Sequence, residues 1–187
     1  GNVTFQSYAV DGLQGYAAVT AGVTTNYDEL SRPVQTIQPS EDGTALTTTT
    51  SYLAGARKAI TDPNNNTTTT SYQVFDEPEF KNAVLVEAPE GVSQAIARDL
   101  YGNPTSISQG GITKSMVYDT FHRLCRSVEP ETGSTVTSYD AANNIVWSAK
   151  GQVITETGCG EDQVLAADVV TRTYDAMNRV SKVAYAD

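Results

Sequence analysis

The chain alternates short runs of β-branched and apolar residues with short polar segments. Runs of the first kind include Val136 to Ser138, Ile145 to Trp147 and Val170 to Thr173, and four consecutive threonines occur at both 47–50 and 67–70. β-Branched and aromatic side chains suit the pleated, half-covered surface of a sheet. The pattern therefore predicts many short β-strands joined by turns.

A tyrosine followed by aspartate recurs at the ends of these runs and makes the sequence a repeat. The pair begins at Tyr27, Tyr118, Tyr139 and Tyr174, and weaker copies begin at positions 52, 72 and 98, the last with Arg98 in place of tyrosine. Consecutive anchors lie 20 to 35 residues apart. This spacing predicts about seven units of roughly 20 to 25 residues, because repeat architectures have periods of this size.

The full pattern is a tyrosine anchor, an aspartate one position later and a polar residue four or five positions after the anchor, and the weaker copies keep only part of it. The residues assigned this structural role are Tyr27, Asp28, Arg32, Tyr52, Arg57, Tyr72, Asp99, Gly102, Tyr118, Asp119, Arg123, Tyr139, Asp140, Asn143, Tyr174, Asp175, Asn178 and Arg179.

The linker after each tyrosine has the composition of a tight turn. An aspartate at the first turn position bonds the backbone two residues further on, and a residue with positive φ closes such a turn before the return strand. We expect the plus-four residue to have that positive φ, and we expect Glu77 to be the plus-five residue of the Tyr72 unit. The plus-four residues are Ser31, Ala56, Asp76, Gly102, His122, Asn143 and Asn178.

The predicted fold is all-β, with consecutive antiparallel β-hairpin repeats in a curved, elongated sheet. Residues 1–19 are predicted to form a partial or atypical leading repeat, and 20–187 an array of about seven units with an insertion at 152–173. Repeat arrays need caps, and uncapped edge strands seek partners. We therefore expect the chain to be an excerpt of a longer polypeptide that, when isolated, either self-associates edge to edge or is markedly less stable than within its parent protein.

Two segments carry a resemblance to a known family, YDTFHRL at 118–124 and YDAMNRV at 174–180. They resemble the motif of the RHS, or YD-repeat, family, which is Tyr-Asp, two variable residues, Gly, Arg and an apolar strand. The resemblance extends from about Thr20 to the carboxyl terminus and includes a degenerate copy at 99–104.

The RHS family includes bacterial polymorphic toxins, insecticidal toxin complexes and teneurins, whose repeats form a β-sheet strip that spirals into a hollow shell around another segment. The resemblance implies that this chain is a segment of such a shell. The chain departs from full-length members, because it has no Asp-Pro-rich motif of the kind that ends the shell and too few repeats to close one.

Charge and composition exclude several other classes. The chain has 12 Lys and Arg against 22 Asp and Glu, a formal charge of −10. This balance argues against a surface for nucleic acid or anionic membrane, which needs clustered cations. Only 18% of the residues are charged, which is few for the exposed faces of a helical bundle, and no apolar stretch approaches the roughly 20 residues of a membrane span.

Candidate chemistry centres on His122, the only histidine, with Cys125 three residues later. A Cys-His pair could act as a nucleophile, and Cys159 could add a zinc ligand. No orienting group or fourth ligand is evident, and His122 and Cys125 already have positions in a turn and a strand. We therefore expect no catalytic residue, cofactor or metal site. The sequence leaves open whether Cys125 and Cys159 pair with each other.

The periodic tyrosines have two interpretations. They could stack as a ladder between neighbouring hairpins, or they could line a carbohydrate-binding surface. Recurrence once per unit favours the ladder.

The function predicted from these observations is a non-enzymatic structural segment of a toxin-encapsulating shell, in a secreted or cell-surface bacterial protein. Its partners would be neighbouring repeats and an enclosed carboxyl-terminal toxin segment of the same polypeptide. The alternative is an extracellular carbohydrate-binding or adhesion module that uses the tyrosines.

Overall fold

The computed structural model describes residues 1–9, 19–77 and 79–186. Its regular elements are β-strands and three single-turn 3-10 helices, and the described residues contain no α-helix. All the strands that the structure pairs are antiparallel and consecutive along the chain. The predicted all-β hairpin fold is confirmed.

The chain divides into two compact units, residues 1–93 and 94–187. In the first unit each strand pairs with the next one along the chain, so the sheet order follows the sequence order. Its strands are β1 (Phe5–Ser7), β2 (Gly22–Tyr27), β3 (Pro33–Pro39), β4 (Ala45–Leu53), β5 (Arg57–Thr61), β6 (Thr67–Tyr72) and β7 (Ala83–Glu87).

The second unit repeats this arrangement. Its strands are β8 (Ser93–Arg98), β9 (Pro104–Gln109), β10 (Ile112–Tyr118), β11 (Leu124–Glu129), β12 (Gly133–Tyr139), β13 (Ile145–Gln152), β14 (Val169–Tyr174) and β15 (Val180–Tyr185). Of the 3-10 helices, Pro89–Gly91 lies in the first unit, and Glu161–Gln163 and Ala166–Asp168 lie in the second.

The predicted leading repeat and the predicted insertion each overlap strands that the structure describes. Residues 10–18 of the leading repeat lie outside the described residues, and β1 pairs with β2. In the insertion, β13 ends at Gln152 and β14 begins at Val169, so the connection comprises residues 153–168.

Most of the tyrosine linkers have the expected turn. Six of the seven plus-four residues have positive φ, between 53° and 84°. The exception follows Tyr72, where Phe80 rather than Asp76 has positive φ (52°). Gln73 N–H donates to the carbonyl of Asn82, so Asn82 and not Glu77 takes the plus-five role. The prediction was wrong there because this linker is longer than the others.

A β-bulge follows the turn in nearly every repeat. Tyr118 pairs with Leu124 and Val117 with Arg126, which leaves Cys125 as an extra residue without a partner. The same shift occurs at anchors 27, 72, 98, 139 and 174, but not at Tyr52, where the register is continuous. A bulge of this kind bends the strand and redirects a side chain.

The two units differ in how deeply they bury side chains. Among the described residues of the first unit only Gly22 is buried. The second unit contains the buried apolar residues Met116, Cys125, Val136 and Ala149. The first unit is therefore held together chiefly by strand pairing and turn contacts rather than by an enclosed core.

Candidate functional site

The Tyr-Asp turn, defined here as the five residues that follow each anchor, is organised by its aspartate. Asp119 Oδ1 accepts the backbone N–H groups of Phe121 and Arg123, both at 2.9 Å, and Oδ2 accepts Arg123 Nε at 2.7 Å. The backbone N–H of Asp119 donates to the Arg123 carbonyl at 2.9 Å, and His122 N–H donates to the Asp119 carbonyl at 3.0 Å. His122 has φ of 61°, as this closure requires. One carboxylate therefore accepts two backbone N–H groups and the plus-five side chain, and two backbone bonds close the rest of the turn.

The same arrangement recurs wherever an aspartate occupies the plus-one position. The plus-five residue is either an arginine or an asparagine, and in both cases its side-chain N–H donates to the second carboxylate oxygen. The aspartates are Asp28, Asp99, Asp119, Asp140 and Asp175.

A sixth copy, which the Tyr-Asp pattern does not identify, begins at Asp62. Its carboxylate accepts the backbone N–H groups of Asn64 and Asn66 and the side-chain amide of Asn66. Thr61 stands where four of the other copies have tyrosine and the Asp99 copy has Arg98. The spacing of Asp62 to Asn66 equals that of Asp140 to Asn144, and this was the signal that could have revealed it.

The turn carboxylates have pKa values below the ordinary value for aspartate. For Asp28 the largest cause is the hydrogen bond from the Arg32 side chain, followed by the bond from the Arg32 backbone N–H. For Asp119 burial raises the pKa, but the backbone and side-chain hydrogen bonds from Arg123 together lower the pKa by more than burial raises it. The folded turn therefore favours the ionised carboxylate.

The anchor tyrosines connect consecutive hairpins. The hydroxyl of Tyr139 donates to the carbonyl of Leu124 at 2.9 Å, and Leu124 is the plus-six residue of the preceding repeat. The same relation joins Tyr52 to Pro33, Tyr118 to Pro104 and Tyr174 to Ile145 at 2.9 to 3.3 Å, and Tyr27 donates to the Val3 carbonyl at 2.8 Å.

Two plus-five arginines, Arg32 and Arg123, make a second connection between repeats. The Arg32 guanidinium lies 4.1 Å from the centroid of the Tyr52 ring, and that of Arg123 lies 4.8 Å from the Tyr139 ring. Arg123 Nη1 also donates to the carbonyl of Asp140 at 2.8 Å. Arg32 and Arg123 thus each pair with the aspartate of their own turn and pack on the tyrosine of the next.

The second and third copies, at Tyr52 and Tyr72, depart from this scheme. Leu53 and Gln73 replace aspartate, and Arg57 Nε donates to the Ala54 carbonyl instead of to a carboxylate. The Tyr72 and Tyr52 rings contact Phe80 edge to face at 5.5 and 5.3 Å. Phe80 belongs to the lengthened linker, so an aromatic cluster takes the place of the polar turn.

The candidate nucleophile and metal ligands have other partners in the structure. Cys125 and Cys159 form a disulfide with a Cα–Cα distance of 5.4 Å, which answers the question that the sequence left open. The His122 ring lies 3.9 Å from that of Tyr101, centroid to centroid. Within the described ranges, no group of three or more His, Cys, Asp or Glu side chains could hold a metal ion. The described part of the chain also contains no helix long and apolar enough to cross a membrane.

Two polar residues that the repeat pattern does not identify, Arg126 and Gln152, attach the connection 153–168 to the sheet. Arg126 donates to the carbonyls of Glu156 and Thr157, and Gln152 binds Leu165 and Asp168. Only long-range contacts identify them, so no local signal in the sequence could have found them.

Comparison with known proteins gives a likeness in fold alone. No protein-family model and no curated protein matches the chain. A chain in the crystal structure of TcdB2-TccC3-Cdc42 aligns with a TM-score of 0.60 at 12% identity, covering 86% of this chain and 9% of that one. A chain in TcdB2-TccC3-TEV aligns with a TM-score of 0.51 at 16% identity, covering 87% and 10%. The present chain is similar in fold to these and spans 9 to 10% of their length.

Proposed function

We propose that this chain is a non-enzymatic wall segment of an RHS-type shell that encloses or presents another part of the same secreted bacterial polypeptide. The observation that carries the proposal is the alignment of 86% of the chain, at a TM-score of 0.60, with a chain of a TcdB2-TccC3 structure. The YD-repeat motifs at 118–124 and 174–180 add sequence support.

The contacts between repeats suit a wall that is built by adding hairpins. The connection between the Tyr118 and Tyr139 hairpins combines three elements, which are strand pairing, a tyrosine hydroxyl on a carbonyl and a plus-five side chain directed to the next turn. In such an array stability is the sum of repeats and nearest-neighbour interfaces. An architecture of this kind extends without requiring a central core.

The side chains best suited to catalysis already have structural partners, which favours a non-enzymatic role. The two cysteines are bonded to each other, and the carboxylate of Asp119 is occupied by its own turn. The disulfide supports a secreted or surface location, because disulfides persist in oxidising compartments.

Glycan binding through the tyrosines is the competing function. The hydroxyls of five anchors donate to backbone carbonyls, and the Tyr52 and Tyr139 rings pack against guanidinium groups. A sugar would have to displace these contacts. No feature of the described residues favours this function over the wall.

The test is to express the full reading frame that contains these residues and to determine its structure by electron cryomicroscopy, with limited proteolysis in parallel. We expect a hollow shell with these hairpins in its wall and a segment protected from protease inside. Asp119→Ala combined with Asp140→Ala should remove that protection. Glu131→Ala, at an exposed position in the turn between β11 and β12, should not. A polypeptide without an enclosed cavity, or saturable binding of this chain on a glycan array that Tyr139→Ala abolishes, would contradict the proposal.

A further inference from the structure

Residues 153–168, called the cover segment here, lie over one face of the second unit. Arg126 pairs with Val136 and Val136 with Ala149, so these three side chains share a face. The 3-10 turn Glu161–Gln163 contacts β12, the strand that contains Val136. Val136 and Ala149 are 0% and 1% exposed, whereas nearly all comparable strand residues elsewhere are at least partly exposed. The cover segment is therefore what removes this apolar surface from water.

The bulge after the Tyr118 turn directs two consecutive residues to the cover segment. Cys125 is the extra residue of that bulge and bonds to Cys159. Arg126, the next residue, donates through Nη1 to the Glu156 carbonyl at 3.0 Å and through Nη2 to the Thr157 carbonyl at 3.3 Å. Neighbours in a regular strand point to opposite faces, so the bulge is what allows both to reach the same segment.

The noncovalent attachment is weak for a buried group. Arg126 is only 6% exposed, its Nε has no hydrogen-bond partner, and among the described residues no carboxylate forms an ion pair with it. The free-energy cost of burying a cation without a counter-ion offsets much of the stability that its hydrogen bonds contribute. Gln152 adds bonds to Leu165 N–H at 3.0 Å and Asp168 Oδ2 at 2.8 Å, at the far end of the segment. The covalent bond at Cys159 therefore decides whether the near end stays attached.

We propose that the cover segment is a redox-operated cover, which the Cys125–Cys159 disulfide holds closed and a dithiol reductant releases. Cys125 is 1% exposed and Cys159 is half-buried, so a reductant thiolate attacks the sulfur of Cys159. The S–S bond breaks, a mixed disulfide forms at Cys159, and Cys125 leaves as a thiolate that takes up a proton. The second thiol of the reductant then closes its own disulfide and frees Cys159, so two electrons pass from the dithiol to the protein. This proposal does not depend on the shell function.

Hydrogen exchange and cleavage by a glutamate-specific protease test the cover. Glu156 and Glu161 are exposed and lie within it. With dithiothreitol, we expect cleavage after these residues to accelerate at least tenfold and exchange to increase at 153–168 and beside Val136, while the first unit stays unchanged. Reoxidation should restore protection. The variant Cys125→Ser/Cys159→Ser is the matched control, since it should be open with or without reductant.

A second variant tests the attachment of the cover segment without changing either cysteine. Gly160 has φ of 78°, and a Cβ there would lie within hard contact of the Ile154 side chain. Gly160→Ala should therefore increase cleavage of the oxidised protein while leaving the disulfide intact, as measured by thiol titration. Equal cleavage of oxidised and reduced wild type would overturn the proposal. So would a loss of protection spread evenly over β8 to β15, because the disulfide would then hold the whole unit and not the cover.

Discussion

Replacing Asp119 with alanine tests whether the turn carboxylate couples two repeats. The substitution removes the acceptor for two backbone N–H groups and the ion-pair partner of Arg123, at 2.7 to 2.9 Å. Arg123 then loses the group that orients it toward Tyr139 and the Asp140 carbonyl. Both turns are affected, although only one residue changes.

The size of the loss follows from the burial of the pair. The side chains of Arg123 and Asp119 are 20% and 18% exposed, so solvent screens them only in part. Hydrogen bonds to charged groups contribute about 1.5 to 3 kcal/mol each before screening, and water replaces part of that at the turn tip. We expect the free energy of unfolding to fall by about 2 to 3 kcal/mol in Asp119→Ala.

The matched control is Asp175→Ala. Asp175 makes the same three bonds in its own turn, but its partner Arg179 is 67% exposed and, among the described residues, makes no bond to another repeat. This variant should lose clearly less stability. Asp119→Asn should fall between the two, because it keeps an acceptor for the backbone and loses the ion pair.

Urea unfolding followed by tryptophan fluorescence measures these differences. The sole tryptophan, Trp147, lies on β13. This strand belongs to the second unit, which also contains both substituted turns. The slope of the free energy against urea should stay constant, so that the midpoint reports stability. If Asp119→Ala and Asp175→Ala lower the midpoint equally, the reasoning about coupled turns is refuted.

Three other outcomes are expected. The turn aspartates have lower pKa values folded than unfolded, so the stability they supply is complete above about pH 5 and is lost as the pH falls below about 4. Urea midpoints at pH 6 and pH 3 check this, and equal midpoints would contradict it. Tyr139→Phe should cost about 1 kcal/mol through the lost bond to the Leu124 carbonyl, whereas Tyr185→Phe, on an exposed ring, should cost nothing measurable in the same titration. Among the described strands β15 pairs only with β14, so the isolated chain should show a mass that rises with concentration in light scattering, and Val183→Lys should reduce it. A constant monomer mass would rule out association through this edge.

The sequence predicted those features that depend on a few neighbouring residues. The turn at Asp119 needs only an aspartate, a residue that tolerates positive φ and a closing residue, all within five positions. The same local logic failed after Tyr72, where the longer linker places Phe80 at positive φ. A count of positions from the anchor cannot show that a linker has lengthened.

Contacts between distant segments could not be predicted from the sequence pattern. The bond from Tyr139 to the Leu124 carbonyl requires the register of two hairpins, and a repeat pattern does not specify it. Arg126 gave no signal because a single arginine in a strand has the same local pattern whether it is buried or exposed. Its role depends on a segment 30 residues away.

The strands are joined by two kinds of connection, the Tyr-Asp turns within a hairpin and the return turns between hairpins. These two kinds differ in how freely residues could be inserted. Tyr-Asp turns touch the next repeat, and the lengthened linker at Phe80 has exchanged the usual polar contacts for an aromatic cluster. The connection from Gln152 to Val169 is longer still, yet the Tyr139 and Tyr174 turns on either side keep their full set of bonds. Loop closure costs little more as a loop grows. Peptide epitopes or binding loops should therefore be tolerated at return turns such as Glu129 to Gly133, which makes these hairpins a scaffold for display.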